Sequence, residues 1–118
     1  MTRSEPFAVN RRDDGEAVVL TVSGALDTIT APSLATHLDV VLTSGPAVLI
    51  VDLTGVDFLS SAGINLLVET HHLTARTTTM LRVAADGGAT SRPMRSIGID
   101  QIMDLYPSVT EAIRGRRQ

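Results

Sequence analysis

The sequence predicts an α/β fold: a single mixed β-sheet of about five strands with helices packed against it, in the order β-β-α-β-α-β-α-β-α. Three observations lead there. Two short β-prone runs at the start are separated by an Asp-Gly, a strong hairpin signal. The segments that follow switch between helical spacing and β-branched runs, as crossover helices joining strands of one sheet require. One run, Ala47-Val48-Leu49-Ile50-Val51, is apolar without interruption, which suits a strand covered on both faces. At 118 residues the chain is long enough to bury one sizeable core and short for two. A single domain over residues 1–118 is therefore expected, with 1–5 and 114–118 as frayed ends.

The elements follow in order. Residues 7–10 and 17–23 are the hairpin strands, joined through Asp13-Asp14-Gly15. From Thr30, Leu34, Leu38, Val41 and Leu42 recur at helical spacing, Pro32 falls in the first turn where its missing N–H is harmless, and Gly45 stops the run. The run 47–51 is the central strand. Residues 52–59 read as a loop, with Phe58 and Leu59 turned inward. Residues 61–75 form a second helix with Ile64, Leu67, Val68 and His71 on one stripe and Ser60 or Ser61 as N-cap. A strand at 77–84, a loop at Gly87-Gly88, a short helix at 91–97 and a strand at 102–106 come next. Ser108, three residues before Glu111, opens a terminal helix with a capping-box pattern.

Composition removes several classes of function. Without cysteine there is no disulfide, no thiolate nucleophile and no Cys-based metal site. No apolar run approaches the roughly 20 residues needed to span a bilayer, and Met1-Thr2-Arg3-Ser4-Glu5-Pro6 lacks the apolar stretch of a signal peptide. The expectation is a cytoplasmic protein without membrane insertion. Arg11-Arg12 is followed at once by Asp13-Asp14, while Arg114, Arg116 and Arg117 sit at the end of the chain, so no basic face interleaved with aromatics is seen and nucleic acid is not expected as a partner.

Catalysis is not expected either. A serine hydrolase needs a base and an orienting group within reach of the nucleophile. His71 and His72 lie over two turns from Ser61 on the same helix, His37 belongs to another helix, and there is no Gly-x-Ser-x-Gly elbow. Adjacent histidines point about 100° apart on a helix and make a poor chelating pair. His71 reads as a partly buried packing residue and His72 as solvated. Gly87-Gly88 lacks the Gly-x-x-x-x-Gly-Lys pattern of a phosphate loop, in a chain with no lysine. A binding protein is expected, with no catalytic residue, metal or cofactor of its own.

The most informative stretch runs Asp52-Leu53-Thr54-Gly55-Val56-Asp57-Phe58-Leu59-Ser60-Ser61-Ala62-Gly63-Ile64. A strand delivers the chain to two serines at a helix start, where main-chain N–H groups are still unpaired. A phosphate is welcome there, because free N–H groups and the positive end of the helix dipole stabilise added negative charge. The same serines also serve as ordinary N-caps.

With these residues in place, the sequence resembles the STAS family, named for sulfate transporters and anti-sigma factor antagonists, and in particular its stand-alone bacterial antagonists. Gly24-Ala25-Leu26-Asp27 is similar to the family's Gly-Glu-Leu-Asp turn after the second strand, and Ala31-Pro32-Ser33-Leu34 to the start of its first helix. Val51-Asp52-Leu53 with 58–64 is similar to the signature around its phosphorylated serine. Arg92-Pro93-Met94-Arg95-Ser96-Ile97-Gly98-Ile99-Asp100 and Tyr106-Pro107-Ser108 match its closing pattern.

The resemblance implies a partner-switching protein, a monomer or weak homodimer. Unphosphorylated, it binds an anti-sigma factor that is itself an ATP-dependent serine kinase of the GHKL type, and a sigma factor is freed. Phosphorylation of the serine at the start of the second helix breaks the complex, and a serine phosphatase restores it; ATP and magnesium belong to the partner. The family's usual site reads Asp-Ser-Ser-Gly or Asp-Ser-Thr-Gly, with the acceptor just before the glycine. Here Ser60-Ser61-Ala62-Gly63 puts Ala62 at that position, leaving Ser61 as acceptor with Ser60 as the alternative. The partner surface is expected at Asp27, Asp57, Ser60, Ser61, Ala62, Gly63 and Asn65: Asp27 matches the family's aspartate near the serine and also reads as a turn residue or N-cap ahead of the first helix, while Asp57 adds acidic character to that face or is a solubilising charge. A scaffold, sensor or lipid-transporter accessory subunit that uses this surface without a kinase is the other reading.

Overall fold

The computed structural model describes residues 6–115. Strand β1 (Ala8–Asp14) and strand β2 (Ala17–Leu26) pair antiparallel as the opening hairpin, turning at Gly15, whose φ of 61° is open to a residue without Cβ. Helix α1 (Ala31–Ser44) carries its proline in the first turn and ends at Gly45, which sits at φ 64° and donates its N–H to Leu42 O. Strand β3 (Val48–Leu59), helix α2 (Ser61–Thr74), strand β4 (Met80–Ala84) and helix α3 (Ser91–Ser96) follow. A single 3-10 turn (Ile99–Gln101), strand β5 (Asp104–Tyr106) and helix α4 (Val109–Arg114) complete the fold.

The strands lie in the order β1-β2-β3-β4-β5, parallel after the first pair, so the sheet is mixed and β3 is central, as the run 47–51 predicts. Parallel strands laid down one after another with right-handed crossovers put their crossover helices on one face. That face holds the larger core, where Leu20 and Val51 of the sheet meet Leu34 and Leu38 of α1, Leu67 of α2 and Met94 of α3. The other face holds a smaller core of Ala17, Val19, Ile50 and Tyr106, covered by Ala112 of α4. Arg82 on β4 holds α4 in place by donating from Nη1 to Ala112 O at 2.9 Å, a cation at a helix C-terminus. At its other end Ser108 Oγ accepts the Glu111 N–H at 3.1 Å, the cap that the sequence predicts.

Both sheet margins are blunt. β1 presents Arg11, Arg12, Asp13 and Asp14 to solvent, with Arg11 Nε 2.9 Å from Asp13 Oδ1, and β5 has three residues. No helix among the described residues is long and apolar enough to cross a membrane.

The main departure from the sequence reading is β3, which continues to Leu59 where a loop is expected. Residues 53–59 keep pairing with β2 through two register shifts, Thr21↔Asp52 to Ser23↔Gly55 and Gly24↔Val56 to Ala25↔Phe58. Each shift inserts one extra residue into β3 as a bulge. Asp52, 7% exposed, holds the first by accepting at Oδ1 from the Thr54 N–H at 2.9 Å and the Thr54 hydroxyl at 2.6 Å. Burial then falls on every third residue, Leu53, Val56 and Leu59, with the pairs between them exposed. Leu59 points inward as expected, but Phe58 does not: it is 55% exposed.

Smaller departures have local causes. Gly24, Ala25 and Leu26 belong to β2, so the turn begins at Asp27. β4 starts at Met80 because the Thr77 N–H and hydroxyl both bond back to Thr74 O, closing off α2. The 3-10 turn shortens β5 by taking up the Ile102 N–H. Arg114 is the last residue of α4, 3.7 Å from Glu111 Oε1, and not a frayed end. The expected fraying of 1–5 and 116–118 lies outside the described residues.

Candidate partner-binding edge

β2 and β3 are parallel and finish together, Leu26 opposite Leu59, and the Ser60 N–H donates to Leu26 O at 2.9 Å. Their continuations therefore leave one end of the sheet side by side. This brings together two segments far apart in sequence: the turn from Asp27 into α1 and residues 60–65 at the start of α2.

The turn into α1 is built on the Asp27 side chain. Its Oδ1 accepts the N–H of Ile29 at 2.9 Å and of Thr30 at 3.1 Å. The Thr30 hydroxyl accepts the Asp27 N–H at 2.9 Å, donates to Ala25 O at 2.7 Å and lies 3.2 Å from Asp27 Oδ1. The Thr30 N–H, then the Ile29 N–H and the Thr30 hydroxyl, hold the Asp27 carboxyl below its ordinary value against a partial desolvation that pushes it up. Asp27 thus performs the turn-residue role the sequence allows, while staying partly exposed at the edge.

The start of α2 is different. Ser60 holds the N-cap position at φ −90° and ψ 172°, and its carbonyl accepts the Ile64 N–H at 3.1 Å. Its side chain makes no cap bond; the hydroxyl is buried without a partner. Ser61, the first helical residue, is exposed. Ala62 is half-buried and Gly63 fully so, with an added Cβ at Gly63 falling 2.8 Å from both Leu26 Cγ and Leu59 Cδ1. Asn65 is exposed one turn further on, and Asp57 is exposed at the second bulge of β3.

The first turn of α2, with no side-chain cap, keeps N–H groups for an anion, and the dipole favours one by about 0.3–1 kcal/mol at an exposed site. A group added at Ser61 meets solvent; one at Ser60 meets the protein interior. The histidines lie elsewhere: His37 Nδ1 is 2.9 Å from Ser33 O within α1, and His71, half-buried, and His72, exposed, have ring centroids 5.7 Å apart late in α2. No group of three His, Asp or Glu among the described residues is arranged to hold a metal.

Two residues of this edge escaped the sequence reading. Ile29 is 87% exposed and Phe58 55%. The available signal for Ile29 was its place as the one apolar residue in the polar turn Asp27-Thr28-Ile29-Thr30 ahead of α1.

Comparison with known proteins places this geometry. The STAS domain model matches residues 8–112. The chain is 30% identical over 117 residues to the anti-sigma-F factor antagonist RsfB of Mycobacterium tuberculosis, covering 99% of this chain and 95% of the relative. The crystal structure of an anti-sigma factor antagonist from Mycobacterium paratuberculosis superposes with a TM-score of 0.89 at 33% identity, covering 96% of this chain and 97% of that one. The anti-sigma factor antagonist SpoIIAA in its unphosphorylated form shares the fold at a TM-score of 0.70 and 16% identity, covering 92% and 96%. The chain belongs to the STAS domain family.

Proposed function

We propose that this STAS domain is an anti-sigma factor antagonist. It binds an anti-sigma factor in the cytoplasm through the turn at Asp27, the bulge at Asp57 and residues 60–65, and so frees a sigma factor for transcription. The observation that carries this reading is the 30% identity to a named antagonist over 99% of the chain.

The partner is an ATP-dependent serine kinase of the GHKL type, and the switch is Ser61. Phosphoryl transfer needs the acceptor oxygen in line with the γ-phosphate. The exposure of Ser61 and the burial of the Ser60 hydroxyl support Ser61 as that acceptor. Its oxygen attacks the γ-phosphorus, the bond to the β-phosphate oxygen breaks, ADP leaves and the hydroxyl proton passes to a base on the kinase. The product adds a charge of about −1.5 to −2 beside two carboxylates, Asp27 and Asp57, and repels the partner from that edge. A serine phosphatase restores the hydroxyl by hydrolysis, water taking the phosphoryl group away as inorganic phosphate. This chain supplies the acceptor and the surface; ATP, magnesium and catalysis reside in the partner.

The test is a labelling reaction with radioactive ATP and the kinase recovered by pull-down. Wild type and Ser60→Ala are expected to take label and Ser61→Ala to take none. Equal labelling of wild type and Ser61→Ala moves the acceptor elsewhere. One observation favours a second reading: Ala62 stands where the family carries its acceptor. A wild-type protein that binds the anti-sigma factor and is never labelled is a constitutive antagonist, and recovery of a transporter ATPase replaces antagonism with an accessory role.

A further inference from the structure

Charge along this chain is segregated. Residues 13–75, which cover β2, α1, β3 and α2, contain no Arg or Lys against eight carboxylates, so this stretch carries −8 while the whole chain carries −3. All ten cations lie outside it. The edge described above is made wholly of this anionic stretch.

Two large apolar side chains stand on that ground. Ile29 is the most exposed large hydrophobic residue among those described, and Phe58 is one of two Phe in a chain with one Tyr and no Trp. Neither is left outside by looseness. Ile29 is fixed by its N–H bond to Asp27 Oδ1 and by the Thr30 bonds on its far side. Phe58 is fixed by strand pairing opposite Ala25, just beyond the Asp57 bulge that turned it outward. The exposed Val40, Leu73 and Met80 belong to the later turns of α1, the end of α2 and the start of β4, away from this edge. With the main chain already held, only the side chains are left to be ordered on binding, which suits an interface anchor.

We infer that the anti-sigma factor bound at this edge offers an apolar socket that takes Ile29 and Phe58 and is rimmed by guanidinium or ammonium groups. The inference rests on the antagonist reading above. Asp27 is a positioning residue that holds the turn presenting Ile29. Asp57 and the anionic ground draw the cationic rim in, an effect on association rate that salt suppresses.

The experiment titrates the purified anti-sigma factors of the source organism one by one against the full chain by interferometry, at about 0.05 M and about 0.3 M salt. Ile29→Ala and Phe58→Ala are each expected to weaken the binding that wild type shows by about thirtyfold, through faster dissociation and with unchanged melting temperature. Asp57→Asn is expected to slow association and flatten its salt dependence. Asp27→Ala is expected to weaken binding while Asp27→Asn, which keeps the Oδ1 acceptor, restores it. Ile29 and Phe58 variants that bind within about twofold of wild type overturn the socket and leave the antagonist reading standing. Wild type that binds none of the anti-sigma factors removes that reading and the inference with it. Sedimentation that shows self-association abolished by Ile29→Ala makes the face a dimer interface and overturns the inference. Asp27→Asn as weak as Asp27→Ala gives Asp27 a direct contact in place of the positioning role.

Discussion

Two helices begin at the same end of the sheet and are begun in different ways. α1 is entered through a turn in which one carboxylate oxygen takes two main-chain N–H bonds. α2 is entered through a serine at the capping position whose hydroxyl bonds nothing. A missing cap ordinarily costs a helix about 1 kcal/mol. That α2 nonetheless starts where it does teaches that packing holds it: Gly63 lies flat on Leu26 and Leu59. The first helix start is closed by hydrogen bonds, and the second is closed by contact and left chemically open.

The largest effect should come from adding charge to the open start. Ser61→Glu is expected to weaken partner binding from tens-fold to thousands-fold, the equivalent of about 2–5 kcal/mol at a desolvated interface. Its melting temperature should stay close to wild type, since a carboxylate suits a helix N-terminus. Calorimetric titration and thermal melting separate the two, and a parallel fall in both would show that the start of α2 is not independent of the fold's stability.

Gly63→Ala attacks the contact that holds α2. Overpacking of this kind costs about 1–3 kcal/mol, a drop of several degrees in Tm. An unchanged Tm would mean that Leu26 and Leu59 give way and that the contact is not what fixes the helix start.

The closed start should respond to pH. The folded Asp27 carboxyl titrates below its ordinary value, so its ionised form contributes stability above about pH 4, and that contribution is lost as pH falls through the lower, folded value. Asp27→Ala should melt below wild type at neutral pH, and the two curves should converge in strong acid. A gap that persists there would show that the neutral side chain holds the turn equally well.

The smallest effect is the sharpest contrast. Ser60→Ala removes a buried hydroxyl without a partner, and its change in stability should be near zero or slightly positive. A loss of about 1 kcal/mol in chemical denaturation would show Ser60 capping α2 after all.

What the sequence revealed and what it hid follow one physical division. The hairpin, the limits of α1, the central strand and the Ser108 cap were legible because each is written in adjacent residues: a glycine at a turn, a proline in a first turn, an unbroken β-branched run. The second half of β3 was not legible. Its bulges arise from register against β2, so Asp52-Leu53-Thr54-Gly55 looked like loop chemistry and the outward turn of Phe58 had no local sign. The start of α2 at Ser60 and Ser61 was legible from the two serines ahead of a helical stripe. The burial of the Ser60 hydroxyl and the bracing of Ile29 depend on the joint between β2 and β3, which no single segment encodes.

The outer strands of the sheet set how this protein behaves when it is concentrated. A strand approaching β1 meets a row of charges, and one approaching β5 finds three residues to pair with. Long unpaired margins would instead template the addition of strands as concentration rises. Crowding therefore does not make this sheet grow, because a charged strand closes one margin and a three-residue strand the other.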